Sequence, residues 1–141
     1  MAMDIDRFVE ERKDRWRRLE EVLSRAESST EQELGPEGMR ELGEGITQRA
    51  HYAMQRIGQI PGIRAPLFDS YHFKEFVINC DGTGRTIQEI NAALRAHDIF
   101  GGHDLSQEFP DLGQSALYCV TEVHTKADID RLVAALREVV A

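Results

Sequence analysis

The chain has 141 residues, 41% hydrophobic and 30% charged, and a formal net charge of −8. That length is about one domain's worth and buries roughly two thirds of its unfolded surface, so a core can form without disulfides or metals. The acidic balance repels a phosphate backbone, and no apolar run approaches the ~20 residues that cross a bilayer, so neither nucleic acid nor membrane is an expected partner and a cytoplasmic location is expected.

Met1-Ala2-Met3 reads as an extension ahead of a native start at Met3, and the charged stretch from Asp4 onward lacks the apolar centre of a signal peptide. Ile5, Phe8, Val9, Trp16, Leu19, Val22, Leu23 and Ala26 recur at helical spacing and predict a long amphipathic helix from about residue 5 to 27. Its basic residues, among them Arg12, Lys13 and Arg15, are interrupted by Asp14 and flanked by Glu10, Glu11, Glu20 and Glu21. That is a solvated face with charge pairs four residues apart. Phe8, Trp16, Leu19 and Leu23 form a stripe suited to self-association, and a homodimer is expected.

Ser28-Ser29-Thr30 breaks the pattern, and Gly35-Pro36-Glu37-Gly38 leads into a second helix from about Glu37 to Gln59. Met39, Leu42, Ile46, Ala50, Ala53 and Ile57 lie near one of its faces, and Pro61-Gly62 stops it. Two extended runs, Ile63 to Phe68 and Phe73 to Cys80, read as a hairpin turned by Asp69-Ser70-Tyr71-His72. Thr86 and Glu89 carry a capping-box signature for a helix with Ile87, Ile90 and Leu94 on one side. Residues Asp98 to Gln114 show no sustained period and read as a long loop. A third strand runs from Ser115 to Thr121, and Thr125 caps a last helix with Ile129, Leu132, Val133, Leu136 and Val140 in phase.

Both faces of the Phe73 to Cys80 and Ser115 to Thr121 runs are largely apolar, which predicts strands covered on both sides. The expected fold class is α+β: a three-stranded, mainly antiparallel sheet covered by helices, with an added N-terminal amphipathic helix. The expected core includes Phe76, Ile78, Leu94, Leu117, Leu132 and Leu136.

Little in the chain points to chemistry. Gly82-x-Gly84 is too short for a dinucleotide or phosphate loop and reads as a turn. His51, His72, His97, His103 and His124 never form a ligand pair at helical spacing, and Cys80 and Cys119 read as two buried, reduced thiols. No serine sits in a nucleophile elbow. No catalytic, cofactor-binding or metal-ligating residue is therefore assigned. Gly101, Gly102, His103 and Asp104 stand out as a paired-glycine loop, which serves either as a bend leading into the sheet or as an interface loop.

The stretches Phe73-Lys74-Glu75-Phe76-Val77, Gly101-Gly102-His103-Asp104-Leu105, Phe109-Pro110-Asp111-Leu112-Gly113 and Val120-Thr121-Glu122, with Thr125-Lys126 and a helix after them, resemble one known domain. It is the C-terminal small domain of glycine dehydrogenase (decarboxylating) subunit 1, the P-protein of the glycine cleavage system. On that resemblance the chain divides into residues 1–32, an N-terminal helix and linker, and residues 33–141, a glycine dehydrogenase C-terminal-like domain. Met3 to Ala26 is instead similar to the start of stage II sporulation M-type membrane proteins, without their spans. A chimera joined near Glu33 or a divergent, truncated family member both fit.

The resemblance implies the small domain of a fold-type I pyridoxal-phosphate enzyme, packed beside a large cofactor domain and near a partner subunit. It implies decarboxylation of glycine by the complete system, with the cofactor lysine on the other subunit of the two-subunit form. It also implies a tyrosine where this chain has His103. Of the lysines present, Lys13, Lys74 and Lys126, none resembles a Schiff-base lysine. The expectation is thus a domain without cofactor or independent catalysis, structural or subunit-associating, with a glycine dehydrogenase subunit as candidate partner. A stand-alone ferredoxin-like module that binds a small ligand is the alternative.

Overall fold

The computed structural model describes Arg17 and residues 31–141. The helix expected over residues 5 to 27, and with it Phe8, Trp16, Leu19 and Leu23, lies outside the described residues.

Helix α1 spans Glu31–Gly58 and is broken at Gly35, whose φ of 63° and ψ of 177° are not helical. A side chain at that φ would be strained, whereas glycine adopts it freely. Pro36 then opens the regular part, where its missing N–H costs nothing because first-turn amides have no intrahelical acceptor. Ile46, Ala50, Ala53 and Ile57 are buried at helical spacing, together with Tyr52 and Met54. Met39, expected on that face, is 45% exposed. It sits about two turns ahead of Ile46, where the buried face begins.

Strand β1 is Glu75–Asn79, helix α2 is Ile87–Arg95, β2 is His103–Asp104, β3 is Ser115–Cys119 and α3 is Lys126–Val140. The sheet order is β1-β3-β2, with β3 antiparallel to both neighbours. The α2 segment therefore carries the chain from one edge of the sheet to the other, and β3 returns down the middle. The Thr86–Glu89 capping box forms on α2 as the sequence predicts, and the expected Thr125 cap on α3 is completed to a second capping box by Asp128.

The third strand is not the one expected. The Ile63 to Phe68 run makes a single bridge, Arg64 to Asn79, in place of a strand. In that register residue 66 faces Val77 and would have to donate to it, but Pro66 has no amide hydrogen. Leu67 donates to the Val77 carbonyl instead, at 2.7 Å, so the ladder slips by one residue. The third strand comes instead from within the Asp98 to Gln114 stretch, which contains β2, on the opposite edge of the sheet beside β3, and a 3₁₀ turn at Pro110–Leu112.

Phe76, Ile78, Ala116 and Tyr118 point to one side of the sheet and join a single core with residues of all three helices, including Ile57, Ile90, Leu94, Val133 and Leu136. The opposite side is not equivalently covered. Val77 and Leu117 are half-buried and Cys119 is exposed, so the expectation of two covered faces is corrected. Only Cys80 is a buried thiol. Leu132 is half-buried as well, at the margin of α3.

Candidate functional site

The loop before β2 is shaped by what it crosses. Gly101 passes α2 so closely that a Cβ would meet Asn91 Oδ1 at 2.0 Å, and a Cβ on Gly102 would stand 2.4 Å from the Tyr118 ring. Asn91 Nδ2 donates to the Gly102 carbonyl at 2.8 Å and fastens the crossing. The two glycines thus face inward. His103 and Asp104 follow in β2: the His103 ring lies 3.0 Å from Glu108 Oε1 with both side chains exposed, and Asp104 Oδ1 accepts from the Ser106 amide at 2.9 Å.

Register then relates this loop to the less covered side of the sheet. Paired residues of an antiparallel ladder share a side, and successive residues alternate. Glu75↔Cys119, Val77↔Leu117 and His103↔Leu117 are such pairs. The structure therefore brings His103 together with Val77, Leu117 and Cys119, whereas Gly101 and Gly102 belong to the core side. The sequence reading missed Val77, Leu117 and Cys119 as surface residues. The signal was present in the polar partners Glu75 and Asn79, which alternate with Phe76 and Ile78 along β1.

Burial decides the state of the two groups on the covered side. The Cys80 thiol is pushed up to about 11 by burial and then by the Asp81 carboxylate, so it stays protonated. The Tyr118 hydroxyl is pushed up to about 12 by burial, against a hydrogen bond with the Gly102 backbone. Neither is poised as a nucleophile or base near neutrality.

A second polar group joins α1 to α3. Tyr52 donates its hydroxyl hydrogen to Asp130 Oδ1, and Lys126 Nζ donates to Asp130 Oδ2 at 2.6 Å. Lys126 also lies 5.2 Å from the centre of the Tyr52 ring, and Arg56 Nε is 4.0 Å from the same carboxylate. Burial pushes the Asp130 carboxyl up, but the hydrogen bonds from Lys126 and Tyr52 outweigh it and hold the group below its ordinary value. One carboxylate between two cations and a phenol is a clamp between helices. Beside it, Arg49 Nε donates to the His124 carbonyl at 2.8 Å and ties α1 to the start of α3.

Neither lysine among the described residues is placed as a cofactor lysine would be. Lys74 is exposed at the entry to β1, and Lys126 is engaged by Asp130, so neither offers a free amine within an enclosed site. Among the described residues no group of three or more His, Cys, Asp or Glu side chains could hold a metal ion.

No protein-family model matches the chain. Among curated proteins, the probable glycine dehydrogenase (decarboxylating) subunit 1 of Desulfitobacterium hafniense is 44% identical over 106 residues, covering 75% of this chain and 23% of that protein. The same-named proteins of Staphylothermus marinus and Pyrococcus abyssi are 43% and 37% identical over 107 residues. Three quarters of the chain is homologous to the C-terminal part of glycine dehydrogenase subunit 1. A solved structure agrees: the glycine decarboxylase P-protein of the glycine cleavage system, in inhibitor-bound form, superposes with a TM-score of 0.66 at 29% identity, over 75% of this chain and 23% of its own. The chain thus spans less than a quarter of the glycine dehydrogenase proteins it matches. The P-protein likeness is to one small α+β unit. No helix among the described residues is long and apolar enough to cross a membrane.

Proposed function

We propose that the chain is a small domain of glycine dehydrogenase type with a structural or subunit-associating role and no turnover of its own. One observation carries this reading: 75% of the chain matches only 23% of the subunit 1 relative. Among the described residues, many polar groups of the matching segment are committed to caps, turns and the helix clamp. Such groups hold a fold together, and among the described residues Lys126 is held by Asp130 and the buried Cys80 thiol stays protonated. What remains available is surface, and surface serves association.

The test is direct. The chain is mixed with the purified glycine dehydrogenase (decarboxylating) subunits of the same organism and run by size exclusion. Co-elution with them, with no release of carbon dioxide from glycine by the chain alone, is the expected result. Turnover by the isolated chain overturns the reading. So does failure to associate, and a small metabolite that stabilises the isolated chain would place it instead with ligand-binding modules.

A further inference from the structure

Gln48 and Gln55 of α1 lie two turns apart, on the side of the helix opposite Ile46, Ala50, Ala53 and Ile57, the residues that face the core. Both side chains are half-buried there, and their Oε1 atoms are shielded from solvent without a hydrogen-bond partner. A shielded acceptor calls for a donor. The outer seam they belong to continues through Gly38, Glu41, Gly45 and Tyr52 in alternating steps of three and four, the spacing of a helix-pairing seam. Gly38 and Gly45 let a second helix come close, and Gly45 and Tyr52 are buried.

We infer that this outer seam of α1 is the docking surface for the chain's own residues 5–27, the amphipathic segment predicted from the sequence, which pairs with α1 in an antiparallel course. Only residues 28–35 join that segment to the regular part of α1 at Pro36, and connections of about 2–8 residues link antiparallel neighbours in helix bundles. So short a tether holds the segment at a roughly millimolar effective concentration, which favours it over a second copy. The antiparallel course brings Trp16 to the stretch between Glu41 and Gln48, where Gly45 leaves room for a large ring. Phe8, Leu19 and Leu23 share its stripe. Charge is complementary as well: Glu37, Glu41 and Glu44 on α1 meet a segment that carries Arg12, Lys13 and Arg15, whose N–H groups are the donors that Gln48 lacks. The glycine dehydrogenase resemblance begins at residue 33 and implies nothing about this contact. The stripe is then used within the chain, and α1 offers any partner a two-helix surface in place of a bare seam.

Trp16 is the only tryptophan of the chain, so its fluorescence reports on this contact. In the intact chain its emission is that of a shielded indole and acrylamide quenches it weakly, both independent of protein concentration. Glu41→Lys and Gln48→Lys each set a cation against the basic segment; they move the emission to that of solvated tryptophan and raise the quenching several-fold. Cys80, 0% exposed, stays unlabelled by iodoacetamide in both variants, which shows that the core is intact. Gln88→Lys, exposed on α2, changes neither readout. A solvated Trp16 in the parent chain overturns the inference before any variant is made. So does a shielded Trp16 that neither seam variant disturbs. Shielding that develops only as the concentration rises assigns the seam to a second copy and overturns it as well.

Discussion

The Tyr118 ring lies against the backbone of Gly102, where an added Cβ would meet ring carbons at 2.4 and 2.5 Å and the Leu117 carbonyl oxygen at 2.8 Å. Neither neighbour can retreat freely: the ring is in the core and the carbonyl belongs to the central strand. Gly102→Ala is expected to cost about 1–3 kcal/mol by overpacking. Gly43, in α1, gives the opposite sign, because a Cβ added there would meet nothing within 4 Å. Gly43→Ala should stabilise by about 0.5–1 kcal/mol, because alanine loses less backbone freedom in a helix. Thermal unfolding of the two variants checks both signs.

Leu136 is 0% exposed in the common core, whereas Leu132, one turn earlier on α3, is only half-buried. Leu136→Ala should cost about 2–5 kcal/mol, and Leu132→Ala distinctly less, because less apolar surface returns to water. Equal losses in denaturant midpoint would show that α3 is rotated from its described position.

Stability should fall on the alkaline side. Burial raises Cys80 from 9.0 to about 11 and Tyr118 from 10.0 to about 12. The folded state therefore keeps protons that the unfolded chain releases. This stability is intact below the unfolded value of 9.0 for Cys80 and is lost progressively as the pH rises through the folded values. Melting temperature followed against pH should decline in that window, and Cys80→Ala should flatten the first part of the decline.

Asp130 works in the other direction. Its folded value lies below the ordinary 3.8, so its contribution is present above that value and disappears as the pH falls through the folded one. Asp130→Asn removes the carboxylate shared by Lys126 and Arg56. The variant should melt at a lower temperature than the parent chain at neutral pH, and the gap should close in acid. A gap that persists undiminished in acid would mean that Asp130 acts by packing and not by charge.

Borohydride reduction after incubation with pyridoxal phosphate should leave no stoichiometric adduct on Lys74 or Lys126. Mass spectrometry of the reduced chain decides this. A single fully modified lysine would require an enclosed amine that the described residues do not provide.

Local rules in the sequence located α1, α2 and α3, the Thr86–Glu89 capping box, the Thr125 cap and two of the three strands. Each of these depends on residues a few positions apart: an apolar period for the helices, Thr86 with Glu89 and Thr125 ahead of its helix for the caps, an unbroken apolar run for β1 and β3. The same reading recognised the glycine dehydrogenase likeness, because that rests on residue identities and needs no coordinates. Three-dimensional packing decided the rest. Pro66 denied the first run its place in the ladder, and the two residues His103 and Asp104, too short to show a period, took the opposite edge of the sheet. The clamp of Tyr52, Lys126 and Asp130 showed locally only as Lys126 and Asp130 four residues apart, since Tyr52 enters from 78 positions away. Which side of the sheet stays open showed only in the polar residues Glu75 and Asn79, because Val77 and Leu117 are as apolar as Ile78. Apolar identity makes a residue suited to burial, but the helices gathered on the other side of the sheet and left these two only half-covered by the described chain.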